Sequence, residues 1–238
     1  MTSRIRTLGI AVAIVGLVFV AAGAFAFLKA QEGATSLRAY SEAQNVKLAY
    51  DANGKLGGEN PEEAAGIMKL LTEDWKYPVN TADLDSKDPL VNTASEYMYQ
   101  MATINYHILT GTQTVVLTED AKAADGTTVP AGTYKFAVDG KYYSEFDRTN
   151  PIEGAARGLA WSGTALGLIG ELGVGTTTAS AIQLATAVAG LFAAVGLLAL
   201  MTGFGLVWVS RAMPVPVETT REATVVDPAG VPSPMGPR

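Results

Sequence analysis

The chain of 238 residues carries 17 Lys+Arg against 23 Asp+Glu, a formal net charge of −6, with 48% hydrophobic and 17% charged residues. It has no cysteine and one histidine, His107; this excludes disulfide frameworks, thiolate metal sites and cysteine nucleophiles, and leaves too few imidazoles for a zinc or non-haem iron centre. An acidic chain with no basic stripe also lacks the Lys/Arg contacts to phosphate that hold nucleic acid.

From Leu8 to Leu28 no side chain is charged or strongly polar. At about 1.5 Å per residue the run spans the roughly 30 Å hydrocarbon core of a bilayer, which predicts a transmembrane helix. Arg4 and Arg6 make a basic start, and Ala22-Gly23-Ala24 or Ala24-Phe25-Ala26 would suit signal-peptide cleavage. The apolar run is longer than the roughly 7 to 15 residues of a signal-peptide core, which favours an uncleaved anchor.

The next 150 or so residues are enough for one domain with its own core. Three helix starts are written in the same chemistry, an Asn or Asp cap followed by proline at the first helical position. They are Asn60-Pro61-Glu62-Glu63, Asp88-Pro89 and Asn150-Pro151-Ile152-Glu153, the first and third with Glu placed to close a capping box. The predicted helices run over 61–72, 89–109 and 151–170. The segments Leu84-Asp85-Ser86-Lys87-Asp88-Pro89-Leu90 and Phe146-Asp147-Arg148-Thr149-Asn150-Pro151-Ile152 share an apolar-Asp-x-x-Asx-Pro-apolar pattern. That is either an old duplication or one turn-to-helix solution reached twice.

On the middle helix Tyr97, Met101, Ile104 and Ile108 fall at helical spacing as a core face, with Met98, Asn105 and Tyr106 at its sides. His107 beside them reads as a hydrogen-bonded or solvent-facing residue. After Gly111 the pattern turns to strand. Gln113 to Thr118 and Val129 to Val138, with turns at Asp125-Gly126 and Asp139-Gly140, predict a small antiparallel β-meander that must pack on the helices to be stable.

Residues 158–178 are apolar and glycine-rich but contain Glu171. A membrane span here would place a carboxylate in lipid, so a helix at the outer face leading into the last span is expected. That span is the run Ala185 to Val209, interrupted only by Thr186 and Thr202, whose hydroxyls can bond back to the helix. The tail from Ser210 holds six of the eleven prolines and little to bury, and reads as disordered.

Positive charge flanks both spans on one side, Arg4 and Arg6 before the first and Arg211 after the second, so both termini are expected in the cytoplasm. Residues 29–178 then lie outside, and they carry the acidity, 12 basic against 20 acidic groups. The expected layout is a cytoplasmic N-terminus (1–7), a first transmembrane helix (8–28), an exported acidic domain (29–178), a second transmembrane helix (179–209) and a cytoplasmic tail (210–238). The fold class is a plasma-membrane α+β protein, its two transmembrane helices flanking a mainly helical exported domain with the small meander.

No cofactor, metal or catalytic constellation is legible. Asp83, Asp85 and Asp88 crowd one turn, but a calcium loop would need Gly at position 88 and Glu at position 94, where Asp88 and Ala94 stand. These aspartates read as turn and cap formers, and Glu62/Glu63 and Glu73/Asp74 as solvated pairs. The spans carry small residues four apart: Gly9 and Ala13 on the first, Ala185, Ala189, Ala193, Ala199 and Gly203 on the second. Such faces let helices approach closely, either each other or a partner.

The stretch Tyr143 to Trp161, YSEFDRTNPIEGAARGLAW, with the apolar segment after it, resembles a family of uncharacterised actinobacterial membrane proteins with two spans, an exported loop and a DR-x-[DN]-P turn before the second span. Members are often labelled aromatic ring-opening dioxygenases. An extradiol dioxygenase needs iron held by two histidines and a carboxylate, and one histidine cannot supply it.

The expected function is therefore non-enzymatic: an accessory or scaffold subunit of a larger membrane complex, with the lipid bilayer and other integral membrane proteins as partners. The alternative is a membrane-anchored module binding a small molecule, lipid or envelope component. An enclosed apolar pocket lined by Tyr97, Met101, Tyr134 or Phe136 would favour that alternative. An enzyme working through carboxylates alone would need two buried acids that converge.

Overall fold

The computed structural model describes residues 2–212. Its elements are α1 (Thr2–Gln44), α2 (Pro61–Lys69), α3 (Ala94–Thr110), β1 (Thr112–Leu117), β2 (Ala121–Lys122), β3 (Thr128–Val129), β4 (Gly132–Ala137), α4 (Pro151–Ala160) and α5 (Gly163–Ala212). The protein is mostly helical. α1 and α5 are each long and apolar enough to cross a membrane, by length and composition. At 43 and 50 residues they measure about 65 and 75 Å, well beyond one bilayer core.

The described part divides into two compact units, residues 2–18 with 196–212 and residues 19–195. Within the first, the two helix segments pack backbone to backbone and antiparallel. A Cβ added to Gly203 would stand 2.6 Å from the Ala13 amide nitrogen and the Gly9 carbonyl oxygen; one on Gly16 would stand 2.7 Å from the Gly196 carbonyl. Only glycine allows that approach.

Within the second unit, the folded domain is built on α3. Thr93 caps this helix: its hydroxyl accepts from the Glu96 amide at 3.3 Å, and the Glu96 carboxylate accepts from the Thr93 amide at 2.9 Å. The start predicted at Asp88-Pro89 is thus five residues early. The backbone at Leu90 bridges to Lys47 instead, and the Asp88 carboxylate pairs with Arg38 at 2.8 Å. Burial on α3 wraps around more of the helix than the predicted stripe. Tyr97 and Ile108 are buried, Met101 and Ile104 only half-buried, and Tyr99, Ala102, Asn105 and Leu109 join the core.

β1 and β4 pair antiparallel from Thr112↔Ala137 to Leu117↔Gly132, and β2 and β3 pair beyond them. The predicted meander is therefore one long hairpin interrupted by loops. Val115 and Val138 from the hairpin are fully buried, as are Leu71 and Ala156, and Phe146 and Trp161 are buried in the same core.

α2 begins at Pro61 as predicted, but Asn60 makes no side-chain cap. The helix runs on through a wider turn at Leu70–Asp74. α4 does have its cap, Asn150 Oδ1 accepting from the Ile152 and Glu153 amides. It ends at Ala160, ten residues before the predicted limit, because the chain breaks at Trp161-Ser162 and restarts with the Ser162 hydroxyl accepting from the Ala165 amide. The outer-face helix expected over 158–178 is not a separate element: residues 163–178 are the beginning of the unbroken α5. Helical structure likewise crosses both expected boundaries of the exported segment, running on to Gln44 in α1 and starting from Gly163 in α5, and α5 continues past the expected end of the second span to Ala212. The expected disordered tail thus begins inside α5, and its remaining residues, 213–238, lie outside the described ones.

Candidate functional site

The small residues of the two long helices are brought together, and on each other. In the first unit Gly9, Ala13 and Gly203 meet as described above. In the second, a Cβ on Gly23 would stand 2.8 Å from the Ala189 carbonyl and 2.9 Å from the Ala193 amide nitrogen, beside the edge-to-face pair Phe19 and Phe192 with ring centroids 5.6 Å apart. Ala189 is only 2% exposed, while Ala185 and Ala199 are half-buried at the margin. The spacing of four captured Gly9, Ala189 and Gly203, three of the eight residues buried along this face. Its controlling period is seven: Gly9, Gly16, Gly23 and Ala30 on α1, and Ala189, Gly196, Gly203 and Ser210 on α5, are all buried. Seven residues are two turns at 3.5 per turn, the repeat that keeps one seam facing a partner helix. That repeat stands in the sequence and identifies Gly16, Gly23, Ala30, Gly196 and Ser210.

The stretch Tyr143 to Trp161 is a self-closing turn that leads into α4. Asp147 accepts from the Thr149 amide and hydroxyl. Glu153 accepts from the Asp147 amide and from the Lys141 ammonium. The Arg157 guanidinium lies 4.5 Å over the Tyr143 ring, and Trp161 stacks on Tyr142 with centroids 5.9 Å apart. The Thr149 hydrogen bonds hold the Asp147 carboxyl below the usual aspartate range. These partners all lie within the same turn and helix, so the motif builds the entry to α4 and converges on no open site.

The acidic residues single out no cation site. Asp83 Oδ1 accepts from the Asn80 amide group, Asp85 Oδ1 from the Lys87 amide, and Asp88 from Arg38. Among the described residues no cluster of His, Asp and Glu is placed to hold a metal ion. Glu63, which the sequence assigns to the α2 cap, meets His107 Nε2 at 2.7 Å instead, and the imidazole is 57% exposed.

One cavity has the character of a binding site. It holds about 320 Å³ and is walled by α1 (Tyr40, Ser41), α3 (Tyr97, Ile104) and α5 (Leu168, Glu171), with Gln44 and Gln100 at its polar margin and Val46, Val91 and Leu172 completing the apolar wall. Tyr97, 5% exposed, is the residue it shares with the expected pocket; Met101, Tyr134 and Phe136 do not line it. A larger but more open depression by Lys69, Asp74 and Asp139 is less suited to enclosing a ligand. Helix extension explains why the sequence hides the first cavity: Tyr40 and Glu171 lie outside both apolar runs, on parts of α1 and α5 that the sequence assigns to the exported domain.

The polar groups of the cavity are ordered. Ser41 Oγ donates to the Leu37 carbonyl at 3.0 Å and stands 2.8 Å from Tyr97 Oη, so the tyrosine is the donor of that pair. The Tyr40 hydroxyl donates to Glu171 Oε1. That bond to a carboxylate raises the Tyr40 hydroxyl pKa above its ordinary value, because it favours the protonated phenol.

No protein-family model matches the chain, and neither a curated protein nor a solved structure matches it.

Proposed function

We propose that the chain is a non-enzymatic, two-span protein of the plasma membrane whose extracytoplasmic domain binds a small, largely apolar molecule. The cavity between α1, α3 and α5 carries this reading. It is concave, mostly apolar and set with a few ordered polar groups, the usual constitution of a ligand site. The membrane part rests on apolar surface: Leu8, Ile14, Leu17, Phe25, Leu191, Leu198 and Phe204 are all exposed, and a water-soluble protein rarely displays so many large apolar side chains. The positive charges at Arg4, Arg6 and Arg211 support a layout with both termini in the cytoplasm. The resemblance to two-span actinobacterial proteins agrees with this layout.

The accessory-subunit reading loses one support, since the small-residue faces pack on each other. It keeps another in Val116, Tyr143, Leu159 and Leu166, exposed on the folded domain. One purification tests both. The full chain is isolated in mild detergent from its native membrane, and retained molecules and proteins are identified by mass spectrometry for wild type and Ile104→Trp, which fills the cavity. A small molecule held by wild type and lost from Ile104→Trp is expected. Equal retention in the two would sink the binding reading, and a stoichiometric co-purifying membrane protein would restore the subunit reading.

A further inference from the structure

Resting on that binding reading, we infer that the cavity between α1, α3 and α5 recognises a protonated amine carried on an apolar body, with Glu171 as its counter-ion. The inventory of protons is the reason. All three hydroxyl protons at the site are engaged within the protein: Tyr40 donates to Glu171 Oε1, Tyr97 to Ser41 Oγ, and Ser41 to the Leu37 carbonyl. What remains is acceptor capacity. Glu171 has a second carboxylate oxygen that takes no hydrogen bond among the described residues, and the Tyr97 oxygen keeps its lone pairs. Among the described residues Glu171 is also the one charged residue in the lining, which has no lysine or arginine to balance it.

A ligand complementary to this wall brings donors and positive charge. A carboxylate or phosphate would face Glu171 with like charge and find no cation. A neutral apolar molecule would fill the volume but leave the carboxylate unmatched. An ammonium satisfies Oε2 and is attracted to the faces of Tyr40 and Tyr97, while its apolar body is accommodated by Val46, Val91, Ile104, Leu168 and Leu172. The Gln44 and Gln100 amides supply donors and acceptors equally and bias neither outcome.

The test uses the full chain in phosphatidylcholine nanodiscs and three probes of one shape: 2-phenylethylamine, 2-phenylethanol and 3-phenylpropanoate. Binding is titrated by ligand-observed saturation-transfer NMR, with empty nanodiscs subtracted. The amine is expected to bind at least tenfold more tightly than either of the others. Glu171→Gln should bring it down to the level of the alcohol, Ile104→Trp should abolish it, and Tyr40→Phe should leave it at or above wild type by freeing the carboxylate's bound oxygen. Circular dichroism confirms the fold of each variant. Equal binding of all three probes, lost in Ile104→Trp, would overturn the amine inference and leave the binding reading standing. Amine binding that survives Glu171→Gln, or that falls as far in Tyr40→Phe as in Glu171→Gln, would also overturn it. If wild type binds no probe, the amine inference fails, and the binding reading is judged by the retained-molecule measurement alone.

Discussion

The hydroxyl of Tyr40 on α1 donates to the carboxylate of Glu171 on α5, across 131 positions of sequence. The bond ties the two long helices together beside the cavity, about 18 Å along α1 from the end of its apolar run at Leu28. Because it favours the neutral phenol, the folded pKa of Tyr40 lies above the ordinary 10.0. Its contribution to stability is fully present below that ordinary value and is lost as pH rises through the higher folded one. An ultraviolet absorbance titration is expected to show a late-ionising tyrosine in wild type, moved to lower pH in Glu171→Gln. An unchanged titration would separate the two residues.

The glycine seam makes a sharp comparison within α5. A side chain at Gly203 would collide with the Gly9 and Ala13 backbone, whereas one at Gly205 meets open space. Gly203→Leu is expected to cost about 1–3 kcal/mol, the usual range for forcing bulk into a packed interface. Gly205→Leu should be neutral or slightly stabilising, since glycine is a poor helix former. Detergent-induced unfolding read by circular dichroism measures both, and equal effects would remove the seam as the reason for the glycines.

The elements that local chemistry controls were legible in the sequence. Pro61 and Asn150-Pro151 do start helices, the Thr/Val-rich segments do pair as strands, and both apolar runs are helical. What misled was competition among partners. Asp88-Pro89 has cap-and-proline chemistry, but Arg38 takes the aspartate and the complete Thr93/Glu96 box starts the helix instead. Glu63 had the position for a capping box and found His107, which is 44 residues away in sequence. The cavity was hidden for a related reason: Tyr40, Ser41, Gln44 and Glu171 lie on parts of α1 and α5 beyond the two apolar runs, and hydropathy marks where an apolar run ends without marking where the helix does.

Glu96 is 1% exposed and accepts from the Asn92 and Thr93 amides and the Thr93 hydroxyl. Glu96→Ala leaves those buried donors without a partner, and about 1–3 kcal/mol of destabilisation is expected in denaturant melts. Burial raises the carboxyl pKa above its ordinary value, outweighing the hydrogen bonds that lower it. The contribution tied to the protonated form is therefore present below the ordinary value and lost as pH rises through the raised one. Glu96→Gln, which keeps an acceptor without charge, should gain stability relative to wild type between pH 4 and pH 7. A constant difference over that interval would contradict the assigned burial effect.

Asp88 behaves in the opposite sense. The hydrogen bond and charge of Arg38 hold its carboxyl below the usual aspartate range. The contribution of the pair is present above the ordinary aspartate value and lost as pH falls through the lower folded one. Because both side chains are about half exposed, salt should weaken the pair. Carbon-detected NMR titration is expected to show Asp88 ionising at lower pH than in Arg38→Ala, with the gap narrowing in high salt. Identical midpoints in the two proteins would show that the contact does not persist in solution.

The proposed topology can be tested with unusual clarity because the chain has no cysteine, so each introduced thiol is the sole target of a maleimide. Ser3→Cys and Ser233→Cys probe the two ends, and Ser36→Cys and Ala124→Cys probe the domain between the apolar runs. Positive charge concentrated at Arg4, Arg6 and Arg211 is retained on the cytoplasmic side during insertion. A membrane-impermeant maleimide added to intact cells should therefore label Cys variants at positions 36 and 124, and those at 3 and 233 only after lysis. Labelling of position 233 from outside would reverse the orientation of α5. Sequencing the mature N-terminus completes the test. A start at Met1 or Thr2 is expected for an anchor, whereas a start at Phe25 or Phe27 would remove Gly9, Gly16 and Gly23, and the seam on α5 would lose the surface it packs against.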